Sequence, residues 1–216
     1  MTRLVYILGC GRSGSTFLNL LMGNHQDIEA VGELSYLTNN KWDSPLPCAC
    51  LGSTWLDKDP DPNKSRCAFW NVVHNVFTKS IPPDCLENYT QLQHKFERYR
   101  NFVHLLMNQI SHSAEYTRYA DITTTLFKSI LEINQKPIIV DSSKNPMRAY
   151  ALTMIPNLDL RIIHLVRDVR GVAWSRKKSF KKNTAGGIVE NIASESFFKT
   201  SVEWIVTNLT SELGRF

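Results

Sequence analysis

The chain has 216 residues, of which 43% are hydrophobic and 21% are charged, and its formal net charge is +5. This length fits one domain with a substantial core, and the composition is that of a soluble globular protein. No apolar run approaches the roughly 18 residues that cross a membrane, and the basic residues are not interleaved with aromatic ones as in nucleic-acid-binding surfaces. We therefore expect a single domain over residues 1–216, with no membrane span and no nucleic-acid partner. The chain enters its first strand without room for a signal peptide, so a cytoplasmic location is expected.

The first predicted unit is a buried strand over residues 3–8, a glycine-containing loop over 9–15 and a helix that ends near Gly23. Such a unit forms an anion-binding cradle, because free backbone N–H groups and the positive end of the helix dipole converge on the loop. The sequence therefore predicts a phosphate-type site directly after the first strand.

The loop departs from the P-loop pattern G-x-x-x-x-G-K-[ST] at one position. Gly9, Gly14 and Thr16 match the pattern, but Ser15 stands where the lysine is expected. An NTPase needs that lysine to hold the β- and γ-phosphates of its nucleotide. The sequence therefore indicates a phosphate-binding loop that does not hydrolyse nucleotides.

Polar residues follow the next two predicted strands. Glu33 comes after the short apolar run 28–31, and Lys144 comes after the run 137–140. In α/β sheets, ligand sites gather at the carboxyl ends of the strands, so both side chains are candidates for the crevice that holds the loop. From position alone, an ordinary surface role is the alternative for each of them.

The middle of the chain is predicted to be irregular and then helical. Residues 39–64 are rich in Pro, Asp, Asn and Ser, which indicates a long irregular excursion. Apolar residues recur at helical spacing in 69–77, 89–110 and 121–134. These stripes are more typical of a helical core than of a ligand site.

The last part of the chain predicts one more strand, over 161–166, and two more helices. The first helix covers 169–176 with Asp168 as its N-cap, and the second covers most of 188–213, with Phe197, Phe198 and Val202 on its apolar face. Strands alternate with helices along the whole chain. This order predicts an α/β fold in which a central parallel sheet is flanked by helices.

Five cysteines leave several interpretations open. Cys48, Cys50 and Cys67 are spaced so that they are candidates for three zinc ligands, for a local disulfide, or for ordinary thiols. An odd number of cysteines argues against a complete disulfide framework. We expect no metal site.

Three segments resemble the family of sulfotransferases that use 3′-phosphoadenosine 5′-phosphosulfate (PAPS). Residues 11–16, Gly-Arg-Ser-Gly-Ser-Thr, are similar to the family's 5′-phosphosulfate loop. Arg167-Asp168-x-Arg170, with Ser175 eight residues after Arg167, is similar to its 3′-phosphate motif. Residues 141–146, Asp-Ser-Ser-Lys-Asn-Pro, are similar to a lysine-bearing segment of bacterial, carbohydrate and protein-tyrosine sulfotransferases.

The resemblance implies a P-loop-like three-layer fold and the transfer of a sulfuryl group from PAPS to a hydroxyl or amine by in-line displacement. It implies Arg12, Lys144 and Glu33 as catalytic residues, with Glu33 as the general base and no metal required. His25 and His164 are alternative bases. The donor-binding residues that it implies are Gly11, Arg12, Ser13, Gly14, Ser15, Thr16, Arg167 and Ser175.

The resemblance further implies a small-molecule or glycan acceptor, whose pocket is expected to be shaped by a loop and helical insertion over residues 39–135. The family's adenine-side loop is not recognisable after Gly186-Gly187. We therefore expect either a truncated C-terminal part or another element that covers the base. The alternatives are a divergent P-loop nucleotide kinase and a non-catalytic protein that retains binding of adenosine 3′,5′-bisphosphate (PAP) or phosphate.

Overall fold

A four-stranded sheet lies at the centre of the protein in a computed structural model, which describes residues 1–39, 68–111, 113–177, 180–183, 188–191 and 195–214. Its strands are β1 (Thr2–Leu8), β2 (Ile28–Gly32), β3 (Ile138–Lys144) and β4 (Leu158–His164). They lie in the order β2-β3-β1-β4, and all neighbouring pairs are parallel. The predicted α/β fold with a central parallel sheet is confirmed.

The central position of β1 explains why the first strand is so apolar. Leu4 pairs with Ile139 of β3 on one side and with Leu160 of β4 on the other. Leu4 and Tyr6 are completely buried, because strands with neighbours on both sides and helices above them have little access to solvent. β1 therefore places the loop that follows it at the middle of the sheet's carboxyl edge.

Helices cover the sheet and follow the strands in sequence. The helices of the described residues are α1 (Ser15–Gly23), α2 (Leu34–Asn39), α3 (Ala68–Ser80), α4 (Pro83–Phe96), α5 (Phe102–Ile110), α6 (Ala114–Asn134), α7 (Pro146–Thr153), α8 (Val169–Lys177) and α9 (Phe197–Leu213). A 3₁₀ turn, Tyr99–Asn101, connects α4 with α5. The long helix α6 packs against β1 and β3, and α1 packs against β2 and β3.

Two of the helix predictions were wrong in part. Residues 89–110 were predicted as one helix, but α4 ends at Phe96 and α5 begins at Phe102. Residues 188–213 were predicted as largely helical, but Ile188–Asn191 is strand β6, which pairs antiparallel with β5 (Phe180–Asn183). The helical part of that stretch begins only at Phe197, where Ser196 accepts a hydrogen bond from the backbone N–H of Lys199.

The apolar residues predicted for the last helix lie on its exposed side. Phe198 is 81% exposed, and Val202 and Leu209 are also exposed. The residues of α9 that are buried are the polar Thr200, Asn208 and Ser211. Asn208 is buried because it bonds to His164 of the edge strand β4, at 2.9 Å, so a polar contact attaches this helix to the sheet.

Several predictions fall outside the described residues. They include Cys48, Cys50 and Cys67, most of the irregular excursion, and Gly186-Gly187. Cys10 and Cys85, which are described, are buried free thiols. Within the described ranges, no helix combines the length and the apolarity that a membrane crossing requires.

Candidate functional site

The loop after β1 is built around two glycines that no other residue replaces without strain. Gly9 has φ of +146°, and a Cβ atom there would lie only 2.3 Å from the backbone oxygen of Leu165, just beyond β4. Gly14 has φ of +102° and caps α1 in the left-handed conformation. These two positions allow the loop to turn sharply from β1 into α1 while it lies against the end of β4.

The interior of the loop closes on itself. The backbone N–H of Ser13 donates to the carbonyl of Cys10 at 3.3 Å, and the Ser13 hydroxyl donates to the same carbonyl. Arg12 adopts a left-handed conformation at φ 71° and is exposed, as is Thr16, whereas Ser15 is buried. The first N–H groups of α1 have no partner within the helix, so they are available to an anion in front of the loop. Ser15 is also predicted to bind the donor, but its side chain is buried.

The structure brings the predicted catalytic residues Glu33 and Lys144 together. Glu33 directly follows β2, and Lys144 is the last residue of β3, so parallel pairing of the two strands brings both to one edge. The Lys144 ammonium donates to the Glu33 carboxylate. The Lys144 side chain is only 18% exposed, against 49% for Glu33. The site therefore contains an ion pair whose carboxylate faces solvent more than its amine does.

The Lys144 segment is held rigidly by the residues around it. Lys144 itself has a left-handed backbone, with φ of 65°. On one side, Ser143 donates its backbone N–H to Asp141 at 2.9 Å. On the other, the Asn145 side chain donates to the carbonyl of Glu97 at 2.7 Å. Because both neighbours of Lys144 are fixed, its side chain leaves the sheet in a defined direction.

The two predicted phosphate-binding segments lie against each other. A guanidinium nitrogen of Arg167, which follows β4, donates to the backbone carbonyl of Arg12 at 3.0 Å. The carbonyl of Arg167 accepts a hydrogen bond from the indole of Trp204 on α9 at 2.8 Å. Ser175 lies two turns into α8 and is half-buried. Arg167 is therefore positioned at the loop, with α9 supporting its backbone.

Asp168, next to Arg167, caps α8 as predicted. Its carboxylate accepts from the backbone N–H of Arg170 at 2.8 Å and from the Arg170 guanidinium at 3.0 Å. These hydrogen bonds from Arg170 lower the pKa of Asp168 to about 2. The Arg170 side chain is thus engaged by Asp168, which leaves Arg167 as the arginine of this motif that contacts the loop.

Arg176 is a site residue that the sequence analysis missed. Its guanidinium bonds to Glu203 of α9 and to Glu195, the latter at 3.1 Å, and lies 3.7 Å from the sulfur of Cys10. The hydrogen bonds to Glu203 raise the pKa of Arg176, although burial acts in the opposite direction. In the sequence, Arg176 is indistinguishable from the basic residues that follow it, so only the fold reveals that it joins α8 and α9 to the loop.

A buried ionic cluster lies beneath the Lys144 segment and was also not predicted. Arg148 of α7 is fully buried and bonds to Glu97 at 2.6 Å and to Asp141 of β3 at 3.2 Å. The Glu97 carboxylate also accepts a hydrogen bond from the Tyr119 hydroxyl at 2.8 Å. Burial by itself would lower the pKa of Arg148, but the two carboxylates outweigh it and the pKa is raised. The cluster connects β3, α7 and the end of α4 below the site.

Two of the predicted site residues, Gly11 and Lys144, line a cleft of about 580 Å³. Its lining comes from residues 9–11 of the loop, residues 97–100 and residues 143–146. Arg176, Glu203 and Thr207 close the end nearest α9. Among the described residues, no group of three or more His, Cys, Asp or Glu side chains has a metal-binding arrangement. The lining includes lysine and arginine side chains and the backbone of the loop, which are suited to an anionic ligand. It also includes the carboxylates of Glu97 and Glu203, which are paired with Arg148 and Arg176.

Comparison with known proteins identifies the family of the chain. The model of the sulfotransferase family matches residues 5–201 of the chain. No curated protein and no solved structure matches it. The matched range contains the loop, Glu33, the Lys144 segment and the Arg167 motif. The chain therefore belongs to the sulfotransferase family.

Proposed function

We propose that this protein transfers a sulfuryl group from PAPS to a hydroxyl or amine of a small-molecule or glycan acceptor. The observation that carries the proposal is the hydrogen bond from Arg167 to the backbone of Arg12. It joins the segment expected to bind the 3′-phosphate with the segment expected to bind the 5′-phosphosulfate. A donor with phosphates at both positions fits this arrangement, whereas ATP lacks the 3′-phosphate.

The residues of the loop and of α8 fit the donor in complementary ways. The backbone N–H groups at the start of α1, with the hydroxyl of Thr16, would hold the 5′-phosphate. The Ser13 hydroxyl would join them by exchanging the carbonyl of Cys10 for a phosphate oxygen. Ser15, being buried, would contribute its backbone N–H rather than its hydroxyl. Arg167 and Ser175 would hold the 3′-phosphate, since a guanidinium binds such oxyanions through paired hydrogen bonds.

Arg12 and Lys144 are the proposed sources of charge stabilisation in the transfer step. The acceptor oxygen forms a bond to sulfur as the bond between sulfur and the 5′-phosphate oxygen breaks. Negative charge then develops on the leaving phosphate, and fixed cations beside it lower the barrier. Lys144 is fixed by its neighbours Ser143 and Asn145, so little reorganisation is needed when this charge appears.

Glu33 is the proposed general base, which takes the proton of the acceptor hydroxyl. Without an acceptor, its carboxylate accepts a hydrogen bond from Lys144. Half of the Glu33 side chain is exposed, so an acceptor hydroxyl has access to the carboxylate. A base must lie within hydrogen-bond distance of the proton that it removes, and a hydroxyl placed between Glu33 and the donor meets this requirement.

Calorimetry with PAP and with ADP tests the proposal. We expect PAP to bind at least about tenfold more tightly than ADP, because only PAP offers Arg167 a 3′-phosphate for charge-assisted hydrogen bonds. Equal or tighter binding of ADP would overturn the donor assignment. Magnesium-dependent turnover of ATP would instead support the kinase alternative.

A further inference from the structure

The turn between α4 and α5, which we call the 97–101 turn, lines the cleft through residues 97–100, as do residues 9–11 of the phosphate loop. The carbonyl of Glu97 accepts from the Asn145 side chain at 2.7 Å, and its carboxylate bonds to buried Arg148 at 2.6 Å. At the other end, the Asn101 side chain donates to the carbonyl of His94 at 3.0 Å. The backbone of the turn is therefore held by hydrogen bonds that do not use the side chains of its two arginines.

Arg98 and Arg100 extend from this fixed turn and line the cleft. Both are exposed, and no carboxylate of the described residues lies within ion-pair distance of either guanidinium. The nearest carboxylate in sequence, Glu97, is occupied by Arg148 and Tyr119. After burial, the charges of Arg98 and Arg100 are the main cause of the lowered pKa of His94, as expected for an uncompensated positive field.

The turn is bonded both to the Lys144 segment and, through the Tyr99 hydroxyl, to Thr207 and Thr210 of α9. It is bonded to Asn145, the residue that follows Lys144, at the end of β3. The strand order β2-β3-β1-β4 places Glu33 and Lys144 on one side of the phosphate loop and Arg167 on the other. Two guanidinium groups that line the same cleft as Lys144 are suited to an oxyanion, because each offers paired N–H donors in a plane.

We infer that Arg98 and Arg100 form an anion subsite that binds a carboxylate or sulfate ester on the acceptor. This inference rests on the proposed sulfuryl transfer, and it narrows the acceptor class to molecules that already carry a negative charge. The subsite holds the anionic group against the 97–101 turn while the acceptor hydroxyl reaches Glu33.

The first experiment measures binding of acetate and of methyl sulfate to the full chain, with and without PAP, at constant ionic strength set by chloride. The readout is the NMR shift of the arginine side-chain N–H signals in the wild type, in an Arg98→Gln/Arg100→Gln double variant and in an Arg118→Gln control. Arg118 is an exposed arginine of α6 that does not line the cleft.

We expect saturable binding of at least one probe, weakened at least about tenfold in the double variant and unchanged in the control. The tighter of the two probes identifies the anionic group. Absence of saturable binding in the wild type, or equal binding in the double variant, overturns the inference. Anion binding without a preference for PAP over ADP would instead overturn the proposed function and leave the subsite standing.

The second experiment asks whether the two arginines contact the sulfuryl group of the donor instead. The affinities of PAPS and PAP are compared in the wild type and in the double variant. We expect both affinities to change less than about twofold, because an acceptor subsite touches neither ligand. A tenfold loss for PAPS alone would overturn the assignment to the acceptor.

Discussion

The side chain of Arg167 donates a hydrogen bond to the backbone carbonyl of Arg12 at 3.0 Å, across 155 residues of sequence. This contact uses one nitrogen of the guanidinium. The other N–H groups of Arg167 remain available to a ligand. The residue thus helps to shape the loop and remains able to bind an anion. We therefore propose a role for Arg167 in donor binding that differs from the roles proposed for Arg12 and Lys144.

Arg167→Ala is expected to weaken PAP binding by about 10- to 100-fold, because it removes the charge-assisted hydrogen bonds of one guanidinium group to a phosphate. Arg12→Ala and Lys144→Ala are expected to lower kcat by about 10²- to 10³-fold with a smaller effect on PAP affinity. Calorimetry and single-turnover transfer separate the two effects. Arg161→Ala is the control, because the Arg161 side chain is exposed and is paired with Asp159. Equal losses of PAP affinity in all three variants would contradict this division.

Glu33→Gln is expected to lower the transfer rate by about 10²- to 10⁴-fold and to leave PAP affinity unchanged, because the amide no longer accepts a proton. Glu29→Gln is the matched control, since Glu29 lies on β2, just before Glu33, and also pairs with a lysine, Lys136 at 3.2 Å. Transfer rates are compared at saturating PAPS. A Glu33→Gln rate within twofold of wild type would exclude Glu33 as the base.

Gly9→Ala is expected to destabilise the protein by about 2–4 kcal/mol, because its Cβ would collide with the backbone oxygen of Leu165 in addition to the backbone strain. Gly14→Ala carries only the strain of a positive φ, about 1–2 kcal/mol, since no atom lies within 4 Å of its Cβ position. Urea denaturation measures both values. An equal or larger loss for Gly14→Ala would show that the close approach at Gly9 is relieved elsewhere.

Arg148→Met is expected to lower the free energy of unfolding by about 3–5 kcal/mol, because it leaves the buried carboxylates of Glu97 and Asp141 without a counter-charge. Adding Glu97→Gln and Asp141→Asn to Arg148→Met should recover part of that loss, since no buried charge then remains uncompensated. Urea denaturation of the single and triple variants tests this coupling. A triple variant less stable than Arg148→Met would contradict it.

The Asp168 carboxyl is expected to titrate at about pH 2 in the folded protein, against its ordinary value of 3.8. A depressed folded-state pKa means that its contribution to stability is present above about pH 4 and is lost as the pH falls towards 2. Because Asp168 is exposed, salt should reduce the shift. Arg170→Ala should return the pKa towards 3.8 in an NMR titration, and an unchanged pKa in this variant would exclude Arg170 as the cause.

The parts of the site that the sequence predicts well are those with local signals. Gly9 and Gly14 lie between an apolar strand and a helical pattern. Glycines at these positions indicate a sharp loop, because glycine readily adopts the backbone conformations that such a loop requires. Lys144 and Glu33 could be assigned to one edge because parallel strands end together. That their side chains form an ion pair is a separate fact, which depends on rotamers and strand register.

The buried cluster shows what local patterns leave out. Glu97, Asp141 and Arg148 lie on three different elements, and each charged residue by itself is typical of a surface position. The same cluster explains why the predicted helix 89–110 is interrupted, since Glu97 turns inward to meet Arg148 while its carbonyl bonds to Asn145. Apolar periodicity continues through this point, so the pattern contains no sign of the break.

α9 was predicted from apolar spacing, and its helical conformation is correct from Phe197 onward. Its orientation was not predictable, because it depends on polar contacts from His164 to Asn208 and from Arg167 to Trp204. Hydrophobic spacing identifies a helix face, but it does not state which face meets the sheet. The same limit applies to Arg176, whose role depends on the position of α9.

The close approach of Gly9 to Leu165 has a consequence for the proposed selection of the donor nucleotide. The backbone of Leu165 also donates to the carbonyl of Leu8 at 2.8 Å, so the chain before the loop and the chain before Arg167 are joined by backbone contacts alone. The separation between the two proposed anion-binding points is thus set before any ligand arrives. If the proposal holds, a ligand whose negative groups have the matching spacing binds without rearrangement of the protein, and one with a different spacing occupies a single point.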